Sequence, residues 1–293
     1  MGVQSWQIGD VKITKILESE GPSPYPMIPE ATPEVVLPMT WMPPGLLTES
    51  GALILSFHAL LVETKKLKIV VDTCVGNDKE RGGIPGMHMR HGEFLETFEK
   101  IGCRREDVDI VLCTHLHIDH VGWNTMLVDG KWQPTFPRAR YLFGRTEFEH
   151  WSKEAESGES FEQKIVANLV GDSVRPIVEA GLADFIETDH VISPEIRLVS
   201  TPGHSPGHTS VEITSGGQHG YITGDIMHHP CQLAHPEWRA VVDFDIEMGI
   251  ATRRLFCEEV ADTDALIIGT HWAAPTAGRV VRDSAAYQLR TEG

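Results

Sequence analysis

The sequence predicts an α+β fold built of layers, in which strands and helices are mixed along one chain. Two observations predict it: apolar segments of strand length alternate with helical patterns, and each cluster of histidine and aspartate directly follows a strand. Functional sites at strand ends are the usual arrangement in layered proteins of this kind. The 293 residues contain no repeat, low-complexity segment or clear boundary, so we expect a single domain over residues 1–293.

The first elements are a strand and a proline-rich segment. Apolar and polar residues alternate over residues 11–18, which predicts a half-buried strand. Residues 21–45 hold eight prolines, which exclude regular structure over most of that length and predict an N-terminal loop at about 21–50. Because Trp41 and Met42 lie in this loop, two interpretations stay open: a loop packed on the surface, and a lid or pocket wall beside the site.

The rest of the chain alternates between two periodicities. Short apolar or alternating segments predict strands, and apolar residues three and four positions apart predict helices. Strands are predicted at residues 52–63, 67–72, 109–114, 140–144, 196–200, 208–214, 220–223 and 265–269. Helices are predicted at residues 93–101, 146–155, 161–180 and 245–261.

Charge and cysteine content narrow the function classes. The formal net charge of -17 repels phosphate backbones and anionic membranes, so we expect neither nucleic acid nor membrane as a partner. The five cysteines are odd in number and form no CxxC pair, which is typical of a reduced, cytoplasmic setting. The N-terminal segment lacks the pattern of a signal peptide, and no apolar stretch is long enough for a spanning helix.

The densest cluster of metal-ligand residue types follows the predicted strand at 109–114. Residues 115–120 read His-Leu-His-Ile-Asp-His, so three imidazoles and one carboxylate lie within six positions. In extended backbone, His115, His117 and Asp119 would share one face. Imidazole together with carboxylate suits Zn, Fe, Mn or Co. Such density directly after a buried strand predicts a metal site rather than a polar loop with chance histidines.

Three further strand ends carry one ligand type each. His204, Asp225 and His271 each come a few positions after a predicted strand. A lone histidine is more often structural than a ligand, so each of these positions is weak evidence by itself. Together with the first cluster they supply seven ligands, the number that two metals with one shared carboxylate need.

These segments resemble the metal motifs of the metallo-β-lactamase-fold hydrolases. The matching segments are residues 115–120, 201–204, 223–225 and 269–271. They come in the family's order, and the resemblance covers the chain from about Val11 onward. It implies a four-layer αβ/βα sandwich with the site between the edges of two facing sheets.

The resemblance implies how the seven ligands divide between two divalent ions, with Asp225 bridging both. The first ion would take His115, His117 and His204. The second ion would take Asp119, His120 and His271. Zinc is the expected metal, with Fe, Mn and Co as alternatives, since the same ligands accept several divalent ions.

Two aspartates have further implied roles. Asp119 is both a ligand and the candidate catalytic acid/base, which would orient the hydroxide between the metals and pass a proton to the leaving group. Asp72 resembles the family's early aspartate and would orient a metal-bound histidine from outside the ligand set. The alternative for Asp72 is a plain turn residue at a strand end.

Within the superfamily, the chain is most similar to the branch of N-acyl-homoserine lactonases and methyl-parathion-hydrolase-like enzymes. The likeness rests on the proline-rich N-terminal region and on residues 120–124 and 271–278. It implies a hydrolase whose metal-bridging hydroxide cleaves a lactone or ester, with organophosphate triesters as a further class. A small molecule is then the expected substrate, and a homodimer is an expected assembly.

One position departs from that branch. Lactonases of this group often place a tyrosine soon after the bridging aspartate, whereas this chain has His228 and His229 there, and either could replace it. The candidate residues of the substrate pocket are Trp41, Met42, Trp123, Met227, His228, Leu233 and Trp272. Core or interface packing is the alternative for each of them.

Three other functions stay open. A glyoxalase II-like thioesterase uses similar ligands, although no basic cluster for glutathione follows His271. An iron-dependent sulfur dioxygenase shares the early motif and uses a single iron. A binding protein that has lost catalysis is disfavoured, because all seven ligand positions hold residue types that bind metals.

Overall fold

The computed structural model describes residues 3–23, 25–158 and 160–291. Pro24, in the expected N-terminal loop, lies outside these ranges. The strands are β1 (Ser5–Ile8), β2 (Val11–Pro22), β3 (Ile54–Glu63), β4 (Lys68–Val71), β5 (Ile110–Leu112), β6 (Thr125–Val128), β7 (Lys131–Pro134), β8 (Arg140–Gly144), β9 (Ala183–Ile186), β10 (Val191–Ser193), β11 (Ile196–Ser200), β12 (Thr209–Ser215), β13 (Gln218–Ile222), β14 (Leu266–Ile268), β15 (Ala277–Asp283) and β16 (Ala286–Arg290). The helices are α1 (Pro33–Val36), α2 (Phe94–Lys100), α3 (Arg145–Ser157), α4 (Phe161–Leu169), α5 (Arg175–Glu179), α6 (Cys231–Ala234) and α7 (Ile246–Val260).

The chain divides into two compact units, of which the first contains the residues up to Glu18 together with Phe57–Glu187. Its main sheet has the strand order β1-β2-β3-β4-β5-β8-β9, and β6 pairs with β7 separately. The neighbours β4, β5, β8 and β9 run parallel. Their carboxyl ends therefore meet at one edge of the sheet.

Helices pack on the first sheet through their apolar faces. Phe94 and Phe98, four positions apart on α2, join Val111 of β5 and Tyr141 of β8 in one buried cluster. Full burial of each such phenylalanine stabilises the fold by roughly 1.5–3 kcal/mol. The helix α3 contacts β8 and β9, so the parallel strands that end near residues 115–120 are anchored by helices.

The second unit contains Ser19–Ser56 and the chain from Thr188 onward. Its sheet has the strand order β10-β11-β12-β13-β14-β15-β16. The pair β13 and β14 is parallel, and the other neighbours are antiparallel. As a result β11, β13 and β14 point the same way and end at one edge. Phe256 and Val260 of α7 pack in a buried cluster with Tyr221 and Ile267 of this sheet.

Two sheets with flanking helices confirm the predicted α+β class. The expected loop at about 21–50 is irregular in its described part apart from α1 and the strand ends that enter it. The helical prediction at 161–180 is confirmed, with one irregularity: a π-helical turn, Val170–Val174, joins α4 to α5. There Asp172 turns inward to bind Arg81 over 2.7 Å. The expectation of one domain over residues 1–293 stays a prediction.

Among the described residues, we find no helix with both the length and the apolar character that crossing a membrane requires.

Candidate metal centre

The first candidate ligands lie on the turn that leaves β5 in the first unit. The amide of Asp72, which follows β4, donates to the last residue of β5 over 2.8 Å, so both strands end side by side. The ring of His115 lies 4.0 Å from that of His120 and 4.5 Å from that of His117. Oδ1 of Asp119 is 3.6 Å from Nε2 of His120. The structure thus brings these four predicted ligands together.

Asp72 holds this turn from the end of β4. Its Oδ1 accepts the Thr114 amide over 2.8 Å, and its Oδ2 accepts the Thr114 hydroxyl over 2.9 Å. The same Oδ2 lies 3.0 Å from Nδ1 of His120. Because an ionised carboxylate only accepts, Nδ1 of His120 donates and Nε2 keeps its lone pair for another ligand. Asp72 therefore lies where the support role places it.

Glu147, on the first turn of α3, is a support that sequence reasoning missed. Its buried carboxylate accepts the Leu116 amide over 3.0 Å and the Trp151 indole N–H over 2.7 Å. The ring centroid of Trp151 in turn lies 5.1 Å from that of His117. Glu147 therefore fixes the backbone between His115 and His117. An acidic residue on a first helical turn is common, so no sequence signal connects it with this turn.

The second set of candidate ligands lies at the strand ends of the second unit. Oδ2 of Asp225 is 3.1 Å from Nε2 of His271 and 3.4 Å from Nε2 of His204. The same oxygen is 3.2 Å from Nε2 of His228. All four side chains are at most 3% exposed. Three imidazole nitrogens therefore converge on one buried carboxylate oxygen.

Oxygen acceptors hold the opposite ring nitrogens of two of these histidines. Nδ1 of His204 is 3.0 Å from Oδ1 of Asp243, and Nδ1 of His271 is 3.2 Å from the carbonyl oxygen of Ser56. Burial raises the pKa of Asp243, but the hydrogen bond from Nδ1 of His204 opposes this effect, and the pKa is lowered overall to about 2. Sequence reasoning missed Asp243, which no motif marks.

His208 fixes the backbone of Asp225. The Asp225 amide donates to Nε2 of His208 over 2.8 Å, and Nδ1 of His208 lies 2.9 Å from the Thr201 carbonyl oxygen. Gly224 has φ +55, and a Cβ there would lie 2.5 Å from Nε2 of His208. The close approach of His208 therefore needs glycine directly before Asp225.

The two histidines that follow Asp225 have different surroundings. Nε2 of His229 donates to the Leu46 carbonyl over 3.0 Å, and Nδ1 accepts the Cys231 amide over 3.2 Å. Burial, opposed by the Leu46 hydrogen bond, lowers the pKa of His229 to about 4. His228 is 1% exposed, and within the described part of the chain neither of its ring nitrogens makes a hydrogen bond. Of the two, only His228 has ring atoms available for a further ligand.

The expected pocket residues lie mostly in hydrophobic clusters. Trp123 stacks on Phe94 with ring centroids 5.4 Å apart, and its indole donates to Glu18 over 2.8 Å. The second unit buries Met227, Leu233 and Trp272 in one cluster, with Trp41 packed against it and Met42 against a neighbouring cluster. This is the packing role that the sequence left open beside the pocket role, and the pocket assignment stays a prediction.

The donors of both units fit divalent metal ions. Each unit offers imidazole nitrogens and carboxylate oxygen, the ligands of Zn, Fe, Mn and Co. In the second unit, protons at Nδ1 of His204 and His271 leave their Nε2 lone pairs facing the Asp225 carboxylate. Lone pairs that face one another in a buried site repel, and a cation between them converts the repulsion into attraction. The second unit also holds ligand atoms of His204, His228 and Asp243 within 4.8 Å of one another.

A comparison with protein families finds a match over most of the chain. A family model described as the metallo-β-lactamase superfamily matches residues 58–268. An N-acyl homoserine lactonase of Bacillus cereus is 26% identical over 178 residues, which cover 57% of this chain and 62% of that protein. A probable metallo-hydrolase of Mycobacterium tuberculosis is 28% identical over 192 residues, 59% of this chain and 57% of that protein. The matches thus span less than two thirds of these relatives' own lengths.

Solved structures resemble the whole chain. A hydrolase named AbOPH, described as a member of the beta lactamase superfamily, has a TM-score of 0.81 and 25% identity and covers 100% of this chain and 98% of its own. AidC, described as a dizinc quorum-quenching lactonase, has a TM-score of 0.79 with 20% identity and covers 100% of this chain and 98% of its own. At that identity, the likeness to AidC shows the fold alone.

Proposed function

We propose that this chain, which belongs to the metallo-β-lactamase superfamily, is a dinuclear metal hydrolase that cleaves a lactone or ester. The family match and the two sheets with flanking helices confirm the fold that the sequence resemblance implies. The observation that carries the proposal is the convergence of Nε2 of His204 and Nε2 of His271 on Oδ2 of Asp225, while Nδ1 of each ring donates to an oxygen acceptor. That arrangement is electrostatically unfavourable without a cation and favourable with one.

The proposed ligands are those that the sequence assigns. His115, His117 and His204 would bind one divalent ion, zinc first among the candidates. Asp119, His120 and His271 would bind the second, and Asp225 would be shared. The hydrogen bonds that Nδ1 of His120 donates to Asp72 and Nδ1 of His204 donates to Asp243 support this proposal, because each puts the lone pair of the ring on Nε2, the atom that would bind a metal.

When bound, two such ions supply a water activated at neutral pH and polarise the carbonyl under attack. The chain's own residues orient the attacking water and the substrate, and they transfer the proton to the leaving group. Asp119, with a side chain 14% exposed, would orient the attacking water, accept a proton from it and then pass that proton to the leaving alkoxide. Buried His228 would donate an N–H to the substrate oxygen where related lactonases place a tyrosine, since its ring nitrogens make no hydrogen bond among the described residues.

The substrate class is narrowed by the relatives and by charge. N-acyl homoserine lactonases are among the relatives, which favours a lactone over a thioester. The net charge of -17 favours a neutral substrate over a polyanion. Organophosphate triesters are neutral as well and form the second class to be tested.

The test is an activity panel on protein loaded separately with Zn²⁺, Mn²⁺, Co²⁺ and Fe²⁺. We expect turnover of γ- or δ-lactones, with weaker turnover of aryl esters or phosphotriesters and no uptake of oxygen. Preferential thioester cleavage would favour the glyoxalase II-like alternative, and oxygen consumption with one iron per chain would favour the dioxygenase. Inertness toward the whole panel with metals bound would contradict the proposal and support a binding protein.

A further inference from the structure

Arg253 is a buried cation on α7 whose guanidinium contacts several backbone segments of the second unit. The side chain is 1% exposed. Its Nε donates to the Ile226 carbonyl over 2.8 Å, and Nη1 donates to the Pro236 and Trp238 carbonyls over 2.9 and 2.7 Å. Its Nη2 lies 3.6 Å from Oδ2 of Asp243. Burying a guanidinium is costly unless its N–H groups are satisfied. These hydrogen bonds offset that cost and allow the cation to be buried.

Asp243 connects this cation with a candidate ligand. Its side chain is fully buried, its Oδ2 accepts the Ala240 amide over 3.0 Å, and its Oδ1 lies 3.0 Å from Nδ1 of His204. A carboxylate in that position fixes the ring orientation of His204 and places its proton on Nδ1. Nε2 of His204 is then the atom that faces Asp225, 3.4 Å from its Oδ2.

The same guanidinium also reaches the segments that carry two other residues of the candidate centre. Ile226, whose carbonyl it binds, directly follows Asp225. The Trp238 carbonyl also accepts Nε2 of Gln232 over 3.0 Å, and Oε1 of Gln232 accepts the His228 amide over 2.8 Å. One cation therefore ties together the backbone beside Asp225, the carboxylate beside His204 and, through Gln232, the backbone of His228.

We propose that Arg253 and Asp243 form a positioning pair that sets the tautomer and orientation of His204 for metal binding. The inference rests on the proposed function, and it assigns a role to two residues that lie in none of the metal motifs. The competing interpretation is a purely structural role, in which the pair stabilises α7 and the segment 236–243 without affecting metal binding. The two interpretations make different predictions for a variant of this pair that still folds. A positioning pair predicts weaker metal binding, and a structural role predicts unchanged metal binding.

The isosteric variant Asp243→Asn separates these interpretations. If the amide nitrogen faces His204, Nδ1 must become an acceptor and the proton moves to Nε2, where it blocks the metal. If the amide nitrogen faced the other way, it would meet two donors, the Ala240 amide and the Arg253 guanidinium, so the first orientation is favoured. Arg253→Lys keeps the charge, but the single lysine amine cannot reach all of the carbonyls that the guanidinium of Arg253 binds. Arg254→Met, at the exposed neighbouring position on α7, is the matched control.

The experiment measures Zn²⁺ affinity by competition with a chromophoric chelator, and apo-protein Tm, for wild type and the three variants. We expect Asp243→Asn and Arg253→Lys to weaken one of two zinc sites by about 10–100-fold. We expect the apo Tm of Asp243→Asn to stay within a few degrees of wild type and Arg254→Met to match wild type throughout. Unchanged zinc affinity in both variants would overturn the inference while leaving the proposed function intact, and a wild type that binds none of Zn²⁺, Mn²⁺, Co²⁺ and Fe²⁺ would overturn both.

A second readout does not depend on metal. In the apo protein, the ¹⁵N chemical shifts of the imidazole should show His204 protonated at Nδ1 in wild type and at Nε2, or in exchange between the two, in Asp243→Asn. A wild-type His204 protonated at Nε2 would overturn the inference, whatever the activity of the enzyme.

Discussion

Asp119 differs from the other carboxylates of the candidate centre in its exposure. Its side chain is 14% exposed, whereas those of Asp72 and Asp225 are 2% and 3% exposed. A group that only orients a histidine can be fully enclosed, but a group that exchanges protons with substrate must be reachable. Accessibility therefore supports the proposed acid/base role for Asp119 rather than for its two buried counterparts.

The first prediction concerns Asp119→Asn, which keeps the shape of the side chain and removes its basicity. We expect kcat to fall by about 10²–10⁴-fold on the best lactone substrate, because proton transfer to the leaving group is lost and one anionic metal ligand becomes neutral. KM and Tm should change little. Asp129→Asn, in the turn between β6 and β7 of the same unit, is the control, and full activity of Asp119→Asn would reject the role.

Lys79 is a buried amine that contacts two oxygen acceptors and one aromatic ring. Its Nζ donates to the Thr125 hydroxyl over 2.6 Å and to the Asp172 carbonyl over 3.1 Å, and it lies 3.5 Å from the Trp132 ring centroid. Burial lowers the pKa of Lys79 to about 7, although Asp172 partly opposes the shift and Arg81 adds to it. In the unfolded chain the pKa returns to about 10.5.

Stability should therefore depend on pH through Lys79. Between pH 7 and 10.5 the unfolded chain holds a proton on this amine that the folded protein has lost, so the Lys79 contribution rises with pH. Relative to Lys79→Met, the free energy of unfolding of the wild type should gain up to about 1.4 kcal/mol per pH unit from pH 7.5 to 9. Urea titrations of both proteins at several pH values measure this difference, and parallel pH profiles would contradict it.

The types of the ligands were predictable from sequence, but several of their supports were not. Residues 115–120 place imidazoles and carboxylate close together in the chain, so spacing alone indicates a metal site. Asp243 lies 39 positions from His204, and Glu147 lies 31 positions from Leu116. Only the folding of α3 onto its sheet, and of the segment 236–243 onto α7, brings them to their partners, so no local pattern could identify them.

Among the secondary-structure elements, strands with a buried apolar centre were predicted best. The bounds of β8 and β11 match the expected ranges, and those of β5, β13 and β14 agree to within two residues. These strands are short, apolar and buried, so composition marks them. The pairs β6–β7 and β15–β16 were missed, because these short strands hold few apolar residues each and do not stand out along the sequence. The π-helical turn at Val170–Val174 was not predicted, because the pairing of Asp172 with Arg81 that accompanies it is long-range.

The turn after β13 gives a prediction at this scale. Gly224→Ala would place a Cβ 2.5 Å from Nε2 of His208 at a φ of +55, so His208 must move away from the Asp225 amide. We expect a loss of stability of more than about 1 kcal/mol together with weaker metal binding. Gly217→Ala has φ +77 with nothing within 4 Å, so it carries the backbone strain alone and should leave metal affinity unchanged. Denaturant titration and zinc competition measure both effects, and equal zinc affinity in the two variants would contradict the prediction.

For the whole molecule, fold and family follow from the order of the motifs along the chain. The family model matches residues 58–268 although the lactonase and metallo-hydrolase relatives are only 26% and 28% identical, and a core needs only apolar residues of about the right size to keep its fold. Substrate choice depends on side chains from loops, which strand periodicity does not predict. The homodimer and the cytoplasmic setting stay predictions.

Metal stoichiometry is the most direct test of the central claim that two ligand sets share Asp225. The measurement is metal content by mass spectrometry, after zinc loading and removal of free metal, for wild type and Asp225→Ala. We predict about two zinc ions per wild-type chain, fewer than two in the variant, and loss of hydrolysis in the variant. A wild type that hydrolyses its substrate equally well with no bound metal, or an Asp225→Ala variant that keeps two ions and full activity, would contradict the account.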